Sequence, residues 1–94
     1  YAFVEPSILR AGWDRDAVVA AIQAEGVTCM HGGCSEVYRE KAFEHENMRL
    51  ARRLPIAREL GETSLMLLTH PTLTQAELES VVVAIRKILE NASR

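Results

Sequence analysis

The last segment of the chain constrains the fold more than any other, because residues 74–90 combine a helix start signal with a long apolar periodicity. The letters TQAE at 74–77 form a capping box, in which the Thr74 hydroxyl and the Glu77 carboxylate each accept from a free backbone N–H. A helix of this kind buries its apolar side against another layer of structure. The sequence therefore predicts a final helix packed on the rest of the domain. The predicted apolar stripe comprises Leu78, Val81, Val82, Ile85, Ile88 and Leu89.

Upstream of this helix, shorter patterns alternate between strand and helix. Asp14 is placed to cap a helix, and Gly26 supplies the left-handed conformation that ends one. The 94 residues leave room for one compact domain, and the 48% apolar content is enough for a single core. We therefore predict an α+β fold for residues 1–94, in which a small three-stranded sheet is packed with helices. The predicted elements before the final helix are a strand at 2–4, a helix from Asp14 to Gly26, a strand at 27–30, a short helix at 35–43, a helix at 54–60 ended by Gly61 and a strand at 63–69.

Charge and hydropathy exclude several classes of function. The formal net charge of −2 gives no electrostatic basis for binding nucleic acid or an anionic membrane surface. The longest apolar run, residues 65–68, is far shorter than the roughly 20 residues that span a bilayer. The one basic cluster, Arg49, Arg52 and Arg53, is predicted to be the solvent face of a helical turn rather than a phosphate-binding patch. Cysteines without a signal-peptide pattern indicate a reducing compartment, so we expect a cytoplasmic protein.

Possible metal ligands gather around the end of the second predicted strand. Cys29, His31 and Cys34 are soft ligand types that lie close together in sequence. A structural zinc site ordinarily has four ligands, and His45 is the only nearby candidate for the fourth. We therefore predict no metal site and interpret Cys29 as a buried thiol.

The loop at residues 30–38 also contains a possible anion site and a possible nucleophile. Gly32, Gly33 and the Ser35 hydroxyl lie at a predicted helix start, where backbone N–H groups can bind an anion. A simple helix cap by Ser35 is the favoured interpretation of this pattern. Cys34 precedes the same helix start, where the helix dipole would lower its pKa, so a thiolate nucleophile is a second hypothesis. Spacing alone indicates no particular reaction.

Five strings of residues occur in a distinctive order along the chain: GWDRD at 12–16, CSEVY at 34–38, EKAF at 40–43, RLPIARELGETSLM at 53–66 and HPTLT at 70–74. In this order they resemble the end of the DegT/DnrJ/EryC1/StrS aminotransferases, especially the branch found in polysaccharide and O-antigen gene clusters. The resemblance extends over essentially all 94 residues. It implies the small C-terminal domain of the aspartate-aminotransferase fold.

The resemblance also implies a reaction and a cofactor. Members of this family use pyridoxal phosphate to move an amino group, usually from glutamate, onto a keto group of a nucleotide-linked sugar. They are homodimers with active sites at the subunit interface, and their large domain holds the cofactor and its lysine. Neither Lys41 nor Lys87 matches that lysine. We therefore expect this chain to be inactive by itself and to act with its own large domain, a homodimer partner and a nucleotide-sugar substrate.

In this family the small domain closes one side of the active-site cleft. The loop after its second strand, here residues 30–38, is the part expected to face the sugar nucleotide. The resemblance therefore makes four polar residues candidate substrate-binding residues and gives this chain no catalytic residue. The four candidates are His31, Ser35, Glu36 and Tyr38.

Two alternatives remain open. One is a self-standing regulatory module that binds a small molecule near Gly32. Against it, the sequence opens at Tyr1 inside a predicted strand and without an initiator Met, which favours a piece of a longer protein. The other is a sugar dehydratase of the same family, in which the cofactor-bearing lysine is replaced. Only that upstream residue distinguishes the dehydratase from the transaminase.

Overall fold

The computed structural model describes residues 1–44 and 50–94, and within them strands and helices alternate as the sequence predicts. The elements in chain order are β1 (Ala2–Phe3), α1 (Arg15–Ala24), β2 (Cys29–His31), α2 (Pro55–Thr63), β3 (Ser64–Leu67) and α3 (Gln75–Ala92). Single 3-10 turns occur at Pro6–Ile8, Val37–Arg39 and Lys41–Phe43. The predicted α+β class, with a three-stranded sheet packed with helices, is confirmed.

The sheet is antiparallel, with β3 in the centre and β1 and β2 on either side of it. The register pairs Phe3 of β1 with Ser64, and His31 of β2 with Leu65. β3 is shorter than the strand predicted at 63–69, because Thr63 still belongs to α2 and the regular pairing ends at Leu67. This register brings the chain leaving β2 beside Ser64, where the candidate loop begins.

Helix α1 lies at the centre of the core and contacts both the sheet and α3. As predicted, Asp14 caps it by accepting from the Ala17 backbone N–H at 2.8 Å, and Gly26 follows its end with a φ of +85°. Val18 and Ile22, which share one face of α1, are each 1% exposed. The other members of the core cluster are Leu9, Val19, Cys29, Leu65, Ile88 and Ala92.

Helix α3 begins with the predicted capping box. The Thr74 hydroxyl accepts from the Glu77 N–H at 3.3 Å, and the Thr74 N–H donates to Glu77 Oε2 at 2.6 Å. The predicted width of its buried stripe is wrong, because the buried side is a narrow line of residues four apart: Ala84, Ile88 and Ala92. Alanine at both ends of this line lets α3 approach its neighbours closely, so only the line of closest approach is fully covered. The predicted stripe members Leu78, Val82 and Leu89 are exposed.

Between β2 and β3 the structure corrects two predictions. The short helix predicted at 35–43 is replaced by two 3-10 turns, and no side-chain hydrogen bond caps either of them, so Ser35 is not a helix cap. Gly61 does not end α2 but lies inside it. A Cβ at Gly61 would meet the Ser35 hydroxyl oxygen, so close approach of the loop explains this glycine.

The structure also corrects the prediction for the basic cluster. Arg52 and Arg53 precede α2 in non-helical backbone, so they are not the face of a helical turn. The reason is Pro55, which occupies the first turn of α2 and sets where the helix starts. Arg49 and His45 lie outside the described residues.

No helix within the two described ranges is both long and apolar enough to cross a bilayer.

Candidate functional site

The centre of the candidate site is an ion pair between Glu36 and Arg53. The Arg53 guanidinium donates from Nε to Glu36 Oε1 and from Nη2 to Oε2, both at 2.6 Å. The Glu36 side chain is 15% exposed and that of Arg53 is 41% exposed. Hydrogen bonds from Arg53 lower the pKa of Glu36 to about 2, and the Tyr38 hydroxyl and the positive charges of Arg53 and Arg39 act in the same direction. Glu36 is therefore a carboxylate held in one orientation by a two-pronged contact.

Tyr38 connects this ion pair to the start of α2. Its hydroxyl donates to Glu36 Oε1 at 2.7 Å and accepts from the Leu54 backbone N–H at 2.9 Å. Leu54 is the N-cap residue of α2 and makes no side-chain cap of its own. The structure thus brings together two of the four predicted site residues, Glu36 and Tyr38, and joins both to the residues that precede α2.

His31 lies in a second cluster, at the start of α1. Its Nε2 is 3.4 Å from Asp16 Oδ1, and Asp16 also accepts from Arg15 Nε at 2.6 Å. The hydrogen bond from Arg15 lowers the pKa of Asp16. Arg15 Nη1 in turn donates to the Ser64 carbonyl at 2.6 Å, and the Gly32 N–H donates to the same oxygen at 3.1 Å. This cluster therefore anchors the start of the loop to β3.

Ser35 and Gly32 are placed by close packing rather than by an anion. The Ser35 side chain is partly exposed, lies against Gly61, and makes no hydrogen bond within the described residues. A Cβ at Gly32 would overlap the Cβ and hydroxyl oxygen of Ser64, which is a buried residue. The close approach of the loop to β3 accounts for Gly32 without an anion-binding turn.

The hypothesis of a thiolate nucleophile at Cys34 is wrong. The exposed thiol donates to Glu40 Oε1 at 3.2 Å, and this hydrogen bond, together with the negative charge, raises the pKa of Cys34. The turn that follows it is a single 3-10 turn, which lacks the dipole of a longer helix. Cys29 is a buried thiol, as predicted, and burial raises its pKa. The described residues contain no group of three His, Cys, Asp or Glu side chains that could hold a metal ion.

From the sequence, Arg52 and Arg53 are expected on the solvent face of a helical turn, and neither is recognised as part of this site. Together with Tyr38, they line a surface pocket of about 360 Å³, which we name the arginine pocket. The signal that could have found it is Pro55: a proline at the start of a helix indicates that the residues before it are not helical. The described lining residues are Tyr38, Arg39, Leu50, Ala51, Arg52 and Arg53.

Neither lysine of the chain fits the attachment of pyridoxal phosphate. A lysine that binds this cofactor covalently needs a dry pocket or a nearby cation that lowers its pKa. Lys87 is exposed on α3 and pairs with Glu25, its Nζ lying 2.7 Å from Glu25 Oε1. Lys41 is exposed on a 3-10 turn. The described residues therefore contain no lysine suited to covalent attachment of this cofactor.

Comparison with known proteins gives one clear similarity. No family model and no curated protein matches this chain. Among solved structures, it is similar to the aminotransferase from Psychrobacter cryohalolentis, with 46% sequence identity and a TM-score of 0.91 over 96% of this chain. The chain spans 23% of the length of that aminotransferase. The fold described above is therefore the fold of one part of an aminotransferase.

Proposed function

We propose that this chain is the small C-terminal domain of a pyridoxal-phosphate-dependent transaminase. The whole enzyme moves an amino group, from glutamate, to a keto group of a nucleotide sugar in polysaccharide or O-antigen biosynthesis. The observation that carries the proposal is the likeness to a solved aminotransferase over 96% of this chain. Because neither lysine fits the cofactor, the rest of a longer protein supplies the cofactor site, and the enzyme works as a homodimer.

On this proposal the chain forms one wall of the substrate cleft. His31 and Ser35 contact the sugar nucleotide directly, which is supported by the 59% exposure of the His31 side chain and by a Ser35 hydroxyl that has no hydrogen-bond partner among residues 1–44 and 50–94. Glu36 and Tyr38 hold the loop in place while facing the same ligand, because their polar atoms are already engaged by Arg53 and Leu54. The domain orients the substrate and excludes water, and the reacting groups lie elsewhere.

The first test is performed on the longer protein that contains this chain. It is purified with pyridoxal phosphate and supplied with glutamate and a keto nucleotide sugar, and the product is identified by mass spectrometry. An amino sugar is the expected product. A dehydrated sugar would replace the transaminase by the dehydratase of the same family. Catalysis by the 94-residue chain alone, or a longer protein without a cofactor-bearing lysine or bound cofactor, would overturn the proposal.

The second test addresses the loop. In the longer protein, His31→Ala removes one polar contact to the nucleotide sugar, and its KM is expected to rise about fivefold, as loss of a single hydrogen bond would cause. The KM for glutamate is expected to stay unchanged if glutamate does not use this loop. His70→Ala is the matched control, because His70 is exposed and bonds locally to Thr72 Oγ1 at 2.6 Å. Equal effects of the two substitutions would remove His31 from the site.

A further inference from the structure

Helix α3 leaves an apolar side uncovered next to the line of residues that it buries. The buried line consists of Ala84, Ile88 and Ala92. Beside that line, four apolar residues with spacings of four, three and four share one side of the helix. Three of them are between 40% and 54% exposed, and the fourth is partly buried. The three exposed residues are Leu78, Val82 and Leu89, and the partly buried one is Ile85.

Two exposed apolar residues from the start of the sequence extend this side of α3. Phe3 of β1 is 60% exposed, and Ile8 in the first 3-10 turn is 54% exposed. Together with Ile85 and Leu89 they line an apolar cleft of about 210 Å³, whose lining also includes buried core residues. We name these six residues the apolar face: Phe3, Ile8, Leu78, Val82, Ile85 and Leu89.

The apolar face carries no charge, and few polar groups lie at its cleft. Among the described residues that line the cleft, only Glu5 and Ser93 have polar side chains. The Glu5 carboxylate already accepts from the Ser7 hydroxyl at 2.8 Å, and the Ser93 carbonyl accepts from Arg10 Nε at 2.5 Å. Such a surface suits an apolar partner rather than a sugar or an anion, because burying it removes apolar area from water.

Val83 provides a contrast on the same helix. It is 64% exposed, but it lies about 100° further round the helix than Val82. The residues one helical turn away from Val83 are all polar: Glu79, Ser80, Arg86 and Lys87. Single exposed apolar residues are normal on soluble proteins, whereas a contiguous apolar patch marks an interface. Val83 therefore belongs to the solvent side of α3, and Val82 to the apolar face.

We propose that the apolar face packs against the remainder of the longer protein, which lays an uncharged surface on α3 and inserts one bulky apolar side chain into the cleft. The identity of this partner rests on the proposed function, in which the chain is one domain of a longer transaminase. It is supported by the aminotransferase likeness, which covers 96% of this chain but only 23% of that protein. A cavity of about 150 Å³ with similar lining takes up benzene, so the cleft has room for an aromatic side chain.

The proposal is tested by thiol labelling in the longer protein. Val82→Cys and Val83→Cys are made separately in a Cys34→Ser background, because the Cys34 thiol is exposed whereas that of Cys29 is buried. Each protein is treated with a maleimide, and mass spectrometry of the α3 peptide gives the labelling rate at that position. By their exposure in this chain alone, the two positions would react at similar rates. Packing of the apolar face is expected to slow labelling at 82 at least tenfold relative to 83.

Two outcomes of the labelling would overturn the proposal. Similar rates at positions 82 and 83 in the folded longer protein would mean that nothing covers the apolar face. Protection at 82 that disappears when the protein is diluted until it is monomeric would mean that a second copy covers it.

A pair of charged substitutions in the longer protein checks the same surface by stability. Val82→Asp forces a carboxylate against an apolar neighbour, so it is expected to lower the midpoint of thermal unfolding by about 2 °C or more. Val83→Asp makes the same change on the solvent side of α3 and is expected to leave the midpoint nearly unchanged. Equal shifts for the two variants, or no shift for either, would contradict the packing of the apolar face.

Neither measurement needs cofactor or turnover, so this inference can fail separately from the proposed function. A longer protein without transaminase activity that still protects position 82 would support the packing and contradict only the activity. A working transaminase that is labelled equally at both positions would contradict only the packing.

Discussion

Residues 1–29 and 63–94 contain every buried side chain described, whereas residues 30–44 and 50–62 contain none. We call the first set the packed region and the second the loop region. The packed region is held by apolar burial around α1, and the loop region by polar contacts such as the Glu36–Arg53 pair. The comparison teaches that one small domain separates the residues that stabilise it from those of the candidate site, since apolar burial contributes far more free energy than solvent-accessible ion pairs do.

The largest expected change in the free energy of unfolding comes from a substitution in the packed region. Ile22→Ala removes a side chain that is 1% exposed and leaves a cavity in the core, so it should lower the free energy of unfolding by about 3 kcal/mol. Chemical denaturation followed by circular dichroism measures this. Val83→Ala on α3 is the control, since Val83 is 64% exposed and its truncation should change stability little. Similar losses for both would mean that α1 is not the centre of the core.

The next largest change in unfolding free energy is expected at Gly32, where the loop region meets the packed region. Gly32→Ala places a Cβ on the buried Ser64 side chain, and such overpacking should cost about 2 kcal/mol in unfolding free energy. Gly33→Ala is a matched control, because the nearest atom to its new Cβ is the Tyr1 hydroxyl oxygen at 3.4 Å. Adding Ser64→Gly to Gly32→Ala removes the overlapping atoms and should recover the part of the loss due to overlap. Without any recovery, the close approach of the loop to β3 would not be the reason for Gly32.

A smaller effect tests how the loop lies on α2. Alanine is favoured over glycine inside a helix by about 1 kcal/mol, but at Gly61 the new Cβ would meet the Ser35 hydroxyl oxygen. Gly61→Ala should therefore bring no gain in the natural sequence and a gain of about 1 kcal/mol in a Ser35→Ala background. Denaturation of the four proteins in this cycle measures the coupling. Additive effects would show that Ser35 and Gly61 are not in contact in solution.

The difference between the packed region and the loop region also explains which features the sequence could predict. The Asp14 cap, the Gly26 end and the Thr74 capping box are local signals, and all three are confirmed. The Glu36–Arg53 pair joins residues 17 apart in an irregular segment, where neither helical nor strand periodicity operates.

Two glycines show the same limit. The sequence offers an anion-binding turn only as one possibility for Gly32 and predicts a helix end at Gly61. It identifies neither close contact, because the residues that the two glycines approach, Ser64 and Ser35, are remote in sequence. At the candidate site, sequence reasoning therefore named Glu36 and Tyr38 without the arginine that joins them. The aminotransferase likeness came from ordered strings of residues, which record ancestry rather than local physics.

The most subtle prediction concerns the charge on Glu36. Its pKa of about 2 in the folded chain lies below the usual value of 4.5, so the folded state binds this proton less readily than the unfolded state. The pair's contribution is thus fully present above about pH 4.5 and is lost as the pH falls towards about 2. Carboxyl carbon NMR should show Glu36 titrating near pH 2, while the amide signals of Val18 and Ile22 stay native until the packed region unfolds.

Arg53→Gln is the control for this titration, because it keeps a hydrogen-bonding side chain but removes the charge that faces Glu36. In this variant the pKa of Glu36 should move up towards 4.5, and the Leu54 amide should exchange about twofold to fivefold faster, as expected when a partly exposed pair is lost. The unfolding midpoint at neutral pH should hardly change, because neither residue is buried. If Glu36 titrated near 4.5 in the natural sequence, the pair would not persist in solution. A large fall in the midpoint would instead mean that the loop region shares in the stability of the core, and the two regions would have to be treated as one.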